Sequence, residues 1–317
     1  IGQNLSLSIR LSGRGKVCVS SGKIGGGGGG GFIGSHLVEA LLGKGYKVRV
    51  LDNLSTGKVA NLPMDNANLS LVVGDAADGA VVEQAMRDCS AVVHLAAVAS
   101  VQASVDDPVS THQSNFVSTL NVCESMSKAG IKRVVFASSA AIYGNNGEGT
   151  AIHEDTPKSP LTPYAADKLA SEYYLDFYRR EHGLEPMIFR FFNIFGPRQD
   201  PSSPYSGVIS IFTKLAMAEQ SVAIFGDGGQ TRDFVYVQDL VSILVQALEV
   251  SEPSTGAVNV GLSRSTSLND LIAELGSVVG TPLTVVHRAS RQGDIRHSRA
   301  DNARLLERFT LPEPTSI

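Results

Sequence analysis

Tyr164 and Lys168 stand four residues apart in the stretch Thr162-Pro163-Tyr164-Ala165-Ala166-Asp167-Lys168. Thr162 suits an N-cap and Pro163 a first helical residue, so the spacing predicts a helix that starts here and carries Tyr164 and Lys168 on one face. An ammonium fixed beside a phenol favours phenolate. Bringing tyrosine from a pKa of about 10 to near 7 requires about 4 kcal/mol of such stabilisation. That phenolate would be a base suited to a sugar or alcohol hydroxyl. Many surface helices carry the same Tyr-x-x-x-Lys pair, so its chemistry depends on what the rest of the chain brings to it.

The elements that must position the pair follow a regular order. Lys16-Val17-Cys18-Val19-Ser20 reads as a buried strand, and a glycine run covers Gly25 to Gly31. After Phe32, Leu37, Val38, Leu41 and Leu42 have helical spacing, and Lys47 to Asp52 is a strand ending in an acid. Glycine turn, helix, strand and acid in this order are the first unit of a dinucleotide-binding fold. Glycines let backbone amides approach a pyrophosphate at a helix N-terminus, and a strand-end acid accepts from ribose hydroxyls while repelling a 2'-phosphate. NAD is therefore expected over NADP; a flexible linker beside an ordinary aspartate is the other reading of these residues.

The alternation continues with strands at Leu69–Asp75, Ala91–Ala97, Arg133–Ser139 and Pro186–Asn193, and helices at Val81–Asp88, Phe116–Ala129 and Tyr164–His182. The predicted fold class is α/β, with a mainly parallel, doubly wound sheet. Asp52, Asp75, Ala97, Ser139 and Asn193 then fall at carboxyl ends of strands, where such sheets bind ligands. After Asn193 the chain becomes loop-rich, with helical pieces near Val208–Glu219 and Leu240–Leu248 and late arginines at 232, 288, 291 and 296. This reads as a smaller, partly discontinuous C-terminal substrate lobe. Its arginines would suit a diphosphate, although composition alone describes solvated surface charge equally.

Composition sets the outer bounds. The 317 residues, 43% hydrophobic, suffice for one large domain or two intertwined ones. A net charge of -4 offers no basic field, so nucleic acid is not the expected partner. No apolar run approaches a membrane span and nothing at the start reads as a signal peptide. Three scattered cysteines suggest a reducing compartment, and the seven histidines lack ligand spacing, so a cytoplasmic protein without a metal or membrane partner is expected.

Taken together, the ordered motifs resemble the extended short-chain dehydrogenase/reductase superfamily, and within it the nucleotide-sugar 4-epimerases. Gly28-x-x-Gly31-x-x-Gly34, with Phe32 and Ile33, is similar to that family's cofactor glycines. Asp52-Asn53-Leu54-Ser55-Thr56-Gly57 is similar to its ribose-binding turn, and Gly74-Asp75-Ala76 to its adenine contact. His94, Leu95, Ala96, Ala97, Asn115 and Phe191 match cofactor-lining positions. Phe136 to Gly144 carries the matching active-site serine at Ser139, which is 25 residues before Tyr164, the separation the family uses. Asn193, Val208, Arg232, Arg291, Asp294 and Ser298 match its nucleotide-sugar contacts, within the segments Arg190-Phe191-Phe192-Asn193, Arg232-Asp233-Phe234 and Arg291-Gln292-Gly293-Asp294.

The resemblance implies a Rossmann-type NAD-binding domain at residues 16–190 and 231–262, and a nucleotide-sugar lobe at 191–230 and 263–317. It implies that Tyr164 takes the 4-hydroxyl proton of a UDP-sugar while Ser139 bonds that oxygen. Lys168 bonds the nicotinamide ribose and holds the tyrosine pKa down. The hydride goes to NAD, and the 4-keto sugar turns and takes it back on the other face. Related dehydratases and decarboxylases place acids where this chain has Ala140 and Ala141, which favours simple epimerisation over those reactions or a reduction. A small residue at Ser298 leaves room for an acetamido group, so UDP-GlcNAc/UDP-GalNAc joins UDP-glucose/UDP-galactose as an expected pair. A non-catalytic NAD-binding protein is the alternative from another class. The helices at Phe116–Ala129 and Tyr164–His182 match those that pair in the superfamily's dimers, so a homodimer is expected. The chain departs from the family pattern at Ser21 to Ile24 and in its seven successive glycines.

Overall fold

A computed structural model describes residues 15–20, 30–146, 149–201, 207–252, 255–290, 295–311 and 313–315. Its first half alternates strand and helix: β1 (Lys16–Ser20), α1 (Phe32–Gly43), β2 (Lys47–Asp52), β3 (Leu69–Val73), α2 (Gly79–Met86) and β4 (Ala91–His94). Two short helices, α3 (Val101–Asp106) and α4 (Pro108–His112), lead through a π-helical turn, Gln113–Val117, into α5 (Ser118–Ala129). β5 (Arg133–Ser139), α6 (Pro163–His182) and β6 (Glu185–Phe191) follow. The chain then forms short strands β7 (Asn193–Phe195), β8 (Val222–Phe225), β9 (Thr231–Arg232) and β10 (Phe234–Tyr236), with α7 (Val208–Met217) among them. α8 (Val237–Glu249) and β11 (Val258–Val260) return to the main sheet before β12 (Thr266–Ser267), α9 (Leu268–Val279) and β13 (Val285–Arg288).

The main sheet is parallel, in the order β3-β2-β1-β4-β5-β6-β11. The order reverses between β1 and β4, the switch point at which doubly wound sheets take ligands. Because strand side chains alternate, Val17 and Val19 enter one apolar layer with Leu37 and Leu41 of α1 and Leu240 and Leu244 of α8. Cys18 enters the other, with Val82, Met86, Val122, Met126 and Leu175 of α2, α5 and α6. Covering both faces makes the strands near-continuous apolar runs, which is why they were readable. A separate cluster holds the later lobe together: Phe212 of α7, Val222 and Ile224 of β8, and Leu268 and Leu271 of α9.

α6 begins as its sequence requires. Thr162 Oγ1 accepts from Ala165 N at 3.4 Å, Pro163 is the first helical residue, and Gly183 closes the helix at φ +68°. Boundaries differ from expectation at several elements: β3 ends at Val73 rather than Asp75, and α2 spans Gly79–Met86 rather than Val81–Asp88. β4 stops at His94 rather than Ala97, and the strand through Asn193 divides into β6 and β7. The helix expected from Phe116 is a longer run beginning at Pro108 and interrupted by the π-helical turn. That turn carries Asn115, whose side chain clamps the backbone of Val98 in the loop after β4: Val98 N donates to its Oδ1 at 2.6 Å and its Nδ2 donates to Val98 O at 3.3 Å. A single inserted residue in the helix turns a side chain towards a neighbouring loop, a frequent use of π-bulges.

Candidate active site

Ser139, Tyr164 and Lys168 come together where β5 ends and α6 begins. Ser139 Oγ accepts from Ala141 N at 3.2 Å and lies near enough to the Tyr164 phenol to favour its ionised form. Tyr164 is 8% exposed and Lys168, one turn on, 2%. Lys168 Nζ donates to the Ala137 carbonyl at 2.6 Å and lies 4.8 Å from the centre of the Phe136 ring. Electrostatics here differ from expectation. Burial raises the Tyr164 pKa and Ser139 opposes it. Burial likewise brings Lys168 down to about 7, opposed by Asp167 and then Glu172. Desolvation, invisible in a residue spacing, outweighs the helical pairing of phenol and amine.

The residues expected to hold the cofactor lie at the carboxyl ends of β1, β2, β3, β4 and β6. Asp52 is buried, and its Oδ2 accepts from Gly30 N at 2.9 Å while Oδ1 accepts from Leu54 N at 2.8 Å. A Cβ on Gly57 would lie 2.3 Å from Asp52 Oδ2, so only glycine fits there. Asn53 Nδ2 donates to Asp75 Oδ2 at 3.2 Å, and Asn53 Oδ1 accepts from Ser55 Oγ at 2.7 Å, which ties the turn after β2 to the turn after β3. Ala76, Leu95, Ala96 and Ala97 are buried, and Phe191 at the end of β6 packs on the core. Gly31 caps α1 without a side chain, and the first turn of α1 holds no acid, so its amide groups and the positive end of its dipole remain for an anion. The buried carboxylate also keeps lone pairs beyond the two it has given to backbone donors. These residues fit NAD. Gly28, within the glycine run, lies outside the described residues.

On the substrate side, Asn193 and Arg232 border β10: Asn193 Nδ2 donates to Asp233 O at 3.3 Å, and Arg232 donates to the carbonyls of Thr231 and Arg296 at 2.9 and 3.4 Å. Ser298 N donates to Thr231 O at 3.2 Å, bringing that small residue beside Arg232. Val208 opens α7 and packs on the cluster of the later lobe. Arg291 and Asp294 lie outside the described residues. Two neighbours in the matched segments serve the fold. Arg190 donates to both Glu172 oxygens at 3.0 and 2.7 Å, and Asp233 accepts from Leu262 N, Ser263 N and Ala300 N at 2.9 to 3.0 Å. Their carboxylate and guanidinium bonds are satisfied inside the chain, which explains why neither reaches outward as a nucleotide contact would.

One residue of the site, Glu172, was not singled out from sequence. Glu172 accepts from Ser138 Oγ at 2.5 Å as well as from Arg190, and Arg190 continues to Tyr143 OH at 2.7 Å. Glu172 lies four residues beyond Lys168, and that helical spacing is the signal that could have found it. His94 receives a hydrogen bond at Nδ1 from Ser20 Oγ at 2.7 Å and lies 3.1 Å from Thr119 Oγ1 at Nε2. Thr119 gives its one proton to Asn115 O at 2.8 Å, so His94 Nε2 is the donor to Thr119. Burial, with the Lys168 charge adding, holds His94 down to about 3, a neutral imidazole. The chain from Ser20 to Asn115 thus crosses the switch point beneath the cofactor residues.

Residues 27–261 match the NAD dependent epimerase/dehydratase family. The UDP-glucose 4-epimerase of Mycolicibacterium smegmatis is 38% identical over 283 residues, covering 87% of this chain and 89% of that one. Among solved structures, UDP-N-acetylglucosamine 4-epimerase from Methanobrevibacter ruminantium, in complex with UDP-N-acetylmuramic acid, matches with a TM-score of 0.87 at 38% identity, over 94% of this chain and 93% of the other. UDP-glucose 4-epimerase from Thermus thermophilus in complex with NAD matches with a TM-score of 0.82 at 36% identity, over 92% of each chain.

Proposed function

Because the chain belongs to the NAD dependent epimerase/dehydratase family, we propose that it inverts C4 of a UDP-hexose with NAD as its resident cofactor. The observation that carries this reading is the cluster of half-buried Ser139 with buried Tyr164 and Lys168 at the carboxyl edge of the sheet. When bound, NAD supplies a reversible acceptor for the hydrogen on C4. Asp52, Asn53, Ser55 and Thr56 would hold its adenosine ribose, the turn through Gly31 and the start of α1 its pyrophosphate, and Asp75 with Ala76 its adenine. Asn115, through Val98, fixes the loop after β4 on which Leu95, Ala96 and Ala97 line the same groove.

Tyr164 takes the proton of the 4-hydroxyl and later returns it. Ser139 hydrogen-bonds the reacting oxygen, and the Lys168 ammonium stabilises the phenolate while the proton is away. Asn193, Arg232, Val208, Arg291 and Asp294 grip the UDP moiety so that the hexose can turn against it. Ala140 and Ala141 bring no further proton donor to the reacting carbons, which supports epimerisation over elimination or decarboxylation. Ser298 beside Arg232 supports acceptance of UDP-GlcNAc/UDP-GalNAc along with UDP-glucose/UDP-galactose. Residues 16–190 with 231–262 act as the NAD-binding domain, and 191–230 with 263–317 as the nucleotide-sugar lobe.

The working form is a homodimer in the cytoplasm. Tyr173, Tyr174 and Phe177 of α6 are 42% to 65% exposed, beside exposed Val105 and Val109. An apolar helical face of this kind suits burial against a second copy. No helix among the described residues is long and apolar enough to cross a membrane. The deciding experiment is incubation with UDP-GlcNAc and with UDP-glucose and NMR of the products. Interconversion of either pair at C4 supports the reading, and release of water or carbon dioxide overturns it.

A further inference from the structure

The turn Gly196-Pro197-Arg198-Gln199 follows β7 and rests on the first turns of α1. Arg198 makes two bonds to that helix: Nη1 donates to Ser35 Oγ at 3.1 Å and Nη2 to Glu39 Oε1 at 2.5 Å. A further bond joins His36 Nε2 to the Pro197 carbonyl at 3.0 Å, and because a carbonyl only accepts, the imidazole is the donor. His36 Nδ1 lies 3.0 Å from Gln238 Nε2, which brings the start of α8 to the same point. His36 and Ser35 are both buried. The backbone of the turn conforms to these contacts. Gly196 sits at φ +147°, and a Cβ there would lie 2.6 Å from Val237 Cγ1. Arg198 sits at φ +67°, a left-handed conformation that a side chain disfavours and that persists where the surrounding contacts over-determine it.

The far side of the turn meets the later lobe. Gln199 Nε2 donates to Ile194 O at 3.4 Å, and the same nitrogen lies so close to Gly207 that a Cβ there would stand 2.9 Å from it. Gly207 is the N-cap of α7, and Val208 is the first residue of that helix. Beyond this point turn and helix part, and a cavity of about 580 Å³ is lined by Pro197 and Pro201 on one side and by Ile209, Thr213 and Met217 on the other. Gln199 therefore seats the start of α7 against the turn. Direct contacts run from the first turn of α1, through Arg198 and Gln199, to Gly207.

We propose that Arg198 and His36 are positioning residues for nucleotide-sugar binding: they latch the turn after β7 onto the helix that opens at the cofactor groove, and so set where α7 presents Val208. This rests on the reading of α1 as the helix that receives the pyrophosphate and of Val208 as a nucleotide contact. Both side chains are bonded within the chain and act through the turn. An ion pair as exposed as Arg198–Glu39 contributes little by itself, so the effect lies in the geometry it shares with Ser35 and Pro197. A small displacement of groups that hold a ligand is enough to weaken its binding.

The test compares the NAD-loaded wild type with Arg198→Ala and with the milder Glu39→Gln. Titration calorimetry with UDP, steady-state kinetics of C4 epimerisation and amide hydrogen exchange without UDP are measured on each. In Arg198→Ala the Kd for UDP and the KM for the UDP-sugar are expected to rise together about tenfold, while kcat stays within about threefold and bound NAD is unchanged. Exchange should quicken over 194–199 and over 207–217 but not in β5. Glu39→Gln should shift the same quantities in the same direction by about threefold. A UDP Kd equal to that of wild type in whichever variant keeps the wild-type circular dichroism would overturn the proposal, as would quickened exchange that stops at the turn and leaves α7 unmoved. If the wild type binds UDP but does not epimerise, the functional reading falls, while the UDP Kd and the exchange still decide the latch. A wild type that binds no UDP sinks both.

Discussion

Lys168 Nζ donates to the Ala137 carbonyl at 2.6 Å, which fastens α6 to β5 two residues before Ser139. This bond fixes the separation of helix and strand on which the Ser139–Tyr164 contact depends. It also holds a lysine in a site that disfavours its charge.

A pH-dependent stability follows. Burial brings Lys168 down to about 7 in the folded protein, against 10.5 for an unperturbed lysine. Between these values the unfolded chain binds the proton more than the folded one, so this group's contribution to stability rises with pH. Its penalty is complete below pH about 7 and relieved as pH approaches about 10.5. Lys168→Met removes the titration. The melting temperature of the variant minus that of wild type is therefore expected to fall as pH rises from about 7 to about 10. Differential scanning calorimetry across that range checks it, and a constant difference contradicts it.

Tyr164→Phe removes the proton acceptor and leaves the ring in its buried seat. General-base catalysis contributes about 10²- to 10⁴-fold, so kcat is expected to drop by at least about 100-fold. Bound NAD and the melting temperature should stay near wild type, because the variant keeps the buried ring and leaves Lys168 and the strand-end residues proposed to hold the cofactor unchanged. Single-turnover assays with cofactor absorbance separate the two effects.

Asp52→Ala tests a carboxylate with both structural and binding roles. It orphans Gly30 N and Leu54 N, both now bonded at 2.8 to 2.9 Å. Leaving such donors without partners costs about 1–3 kcal/mol each where water cannot reach them. Urea unfolding of the protein freed of NAD should show a loss of that order, and NAD retention during gel filtration should also fall. Weaker NAD binding with unchanged stability would mean that the two backbone bonds contribute little.

What could be read in advance follows from how each feature is encoded. The positions of the strands along the chain were legible because buried parallel strands such as Arg133–Ser139 have apolar centres between polar ends. Tyr164 and Lys168 were legible because helical spacing brings four-apart residues together. The π-helical turn at Asn115 was not, since an inserted residue leaves no periodic trace over five positions. Nor were the partners of Arg190, Asp233 and Asp167. Those bonds join residues 18 to 67 positions apart and arise only when strands and helices pack. The sign of the Tyr164 shift failed for the same reason, because it is set by burial.

The exposed aromatic face of α6 yields a prediction about assembly. Tyr173 is 65% exposed, and Tyr174 lies 5.0 Å from Phe116, edge to face. Tyr173→Asp combined with Phe177→Asp puts two charges on that face at side chains 65% and 42% exposed. Light scattering should report a monomer for the double variant and a dimer for wild type. Circular dichroism should be the same for both. A dimer that survives both charges would move the interface elsewhere.

Ser298 tests which hexoses enter. Its backbone is held at Thr231, so a larger side chain there cannot withdraw by shifting the strand. On the proposed reading, Ser298→Tyr fills space that an acetamido group would need while leaving Arg232 unchanged. Steric exclusion of this kind costs more than the loss of a single methylene, which is itself worth about 1–3 kcal/mol. The variant's kcat/KM for UDP-GlcNAc is therefore expected to fall by at least about 100-fold, while that for UDP-glucose changes by less than about tenfold. Equal losses on both sugars would mean that Ser298 lines no sugar pocket, and that the choice of hexose is made by residues on another part of the lobe.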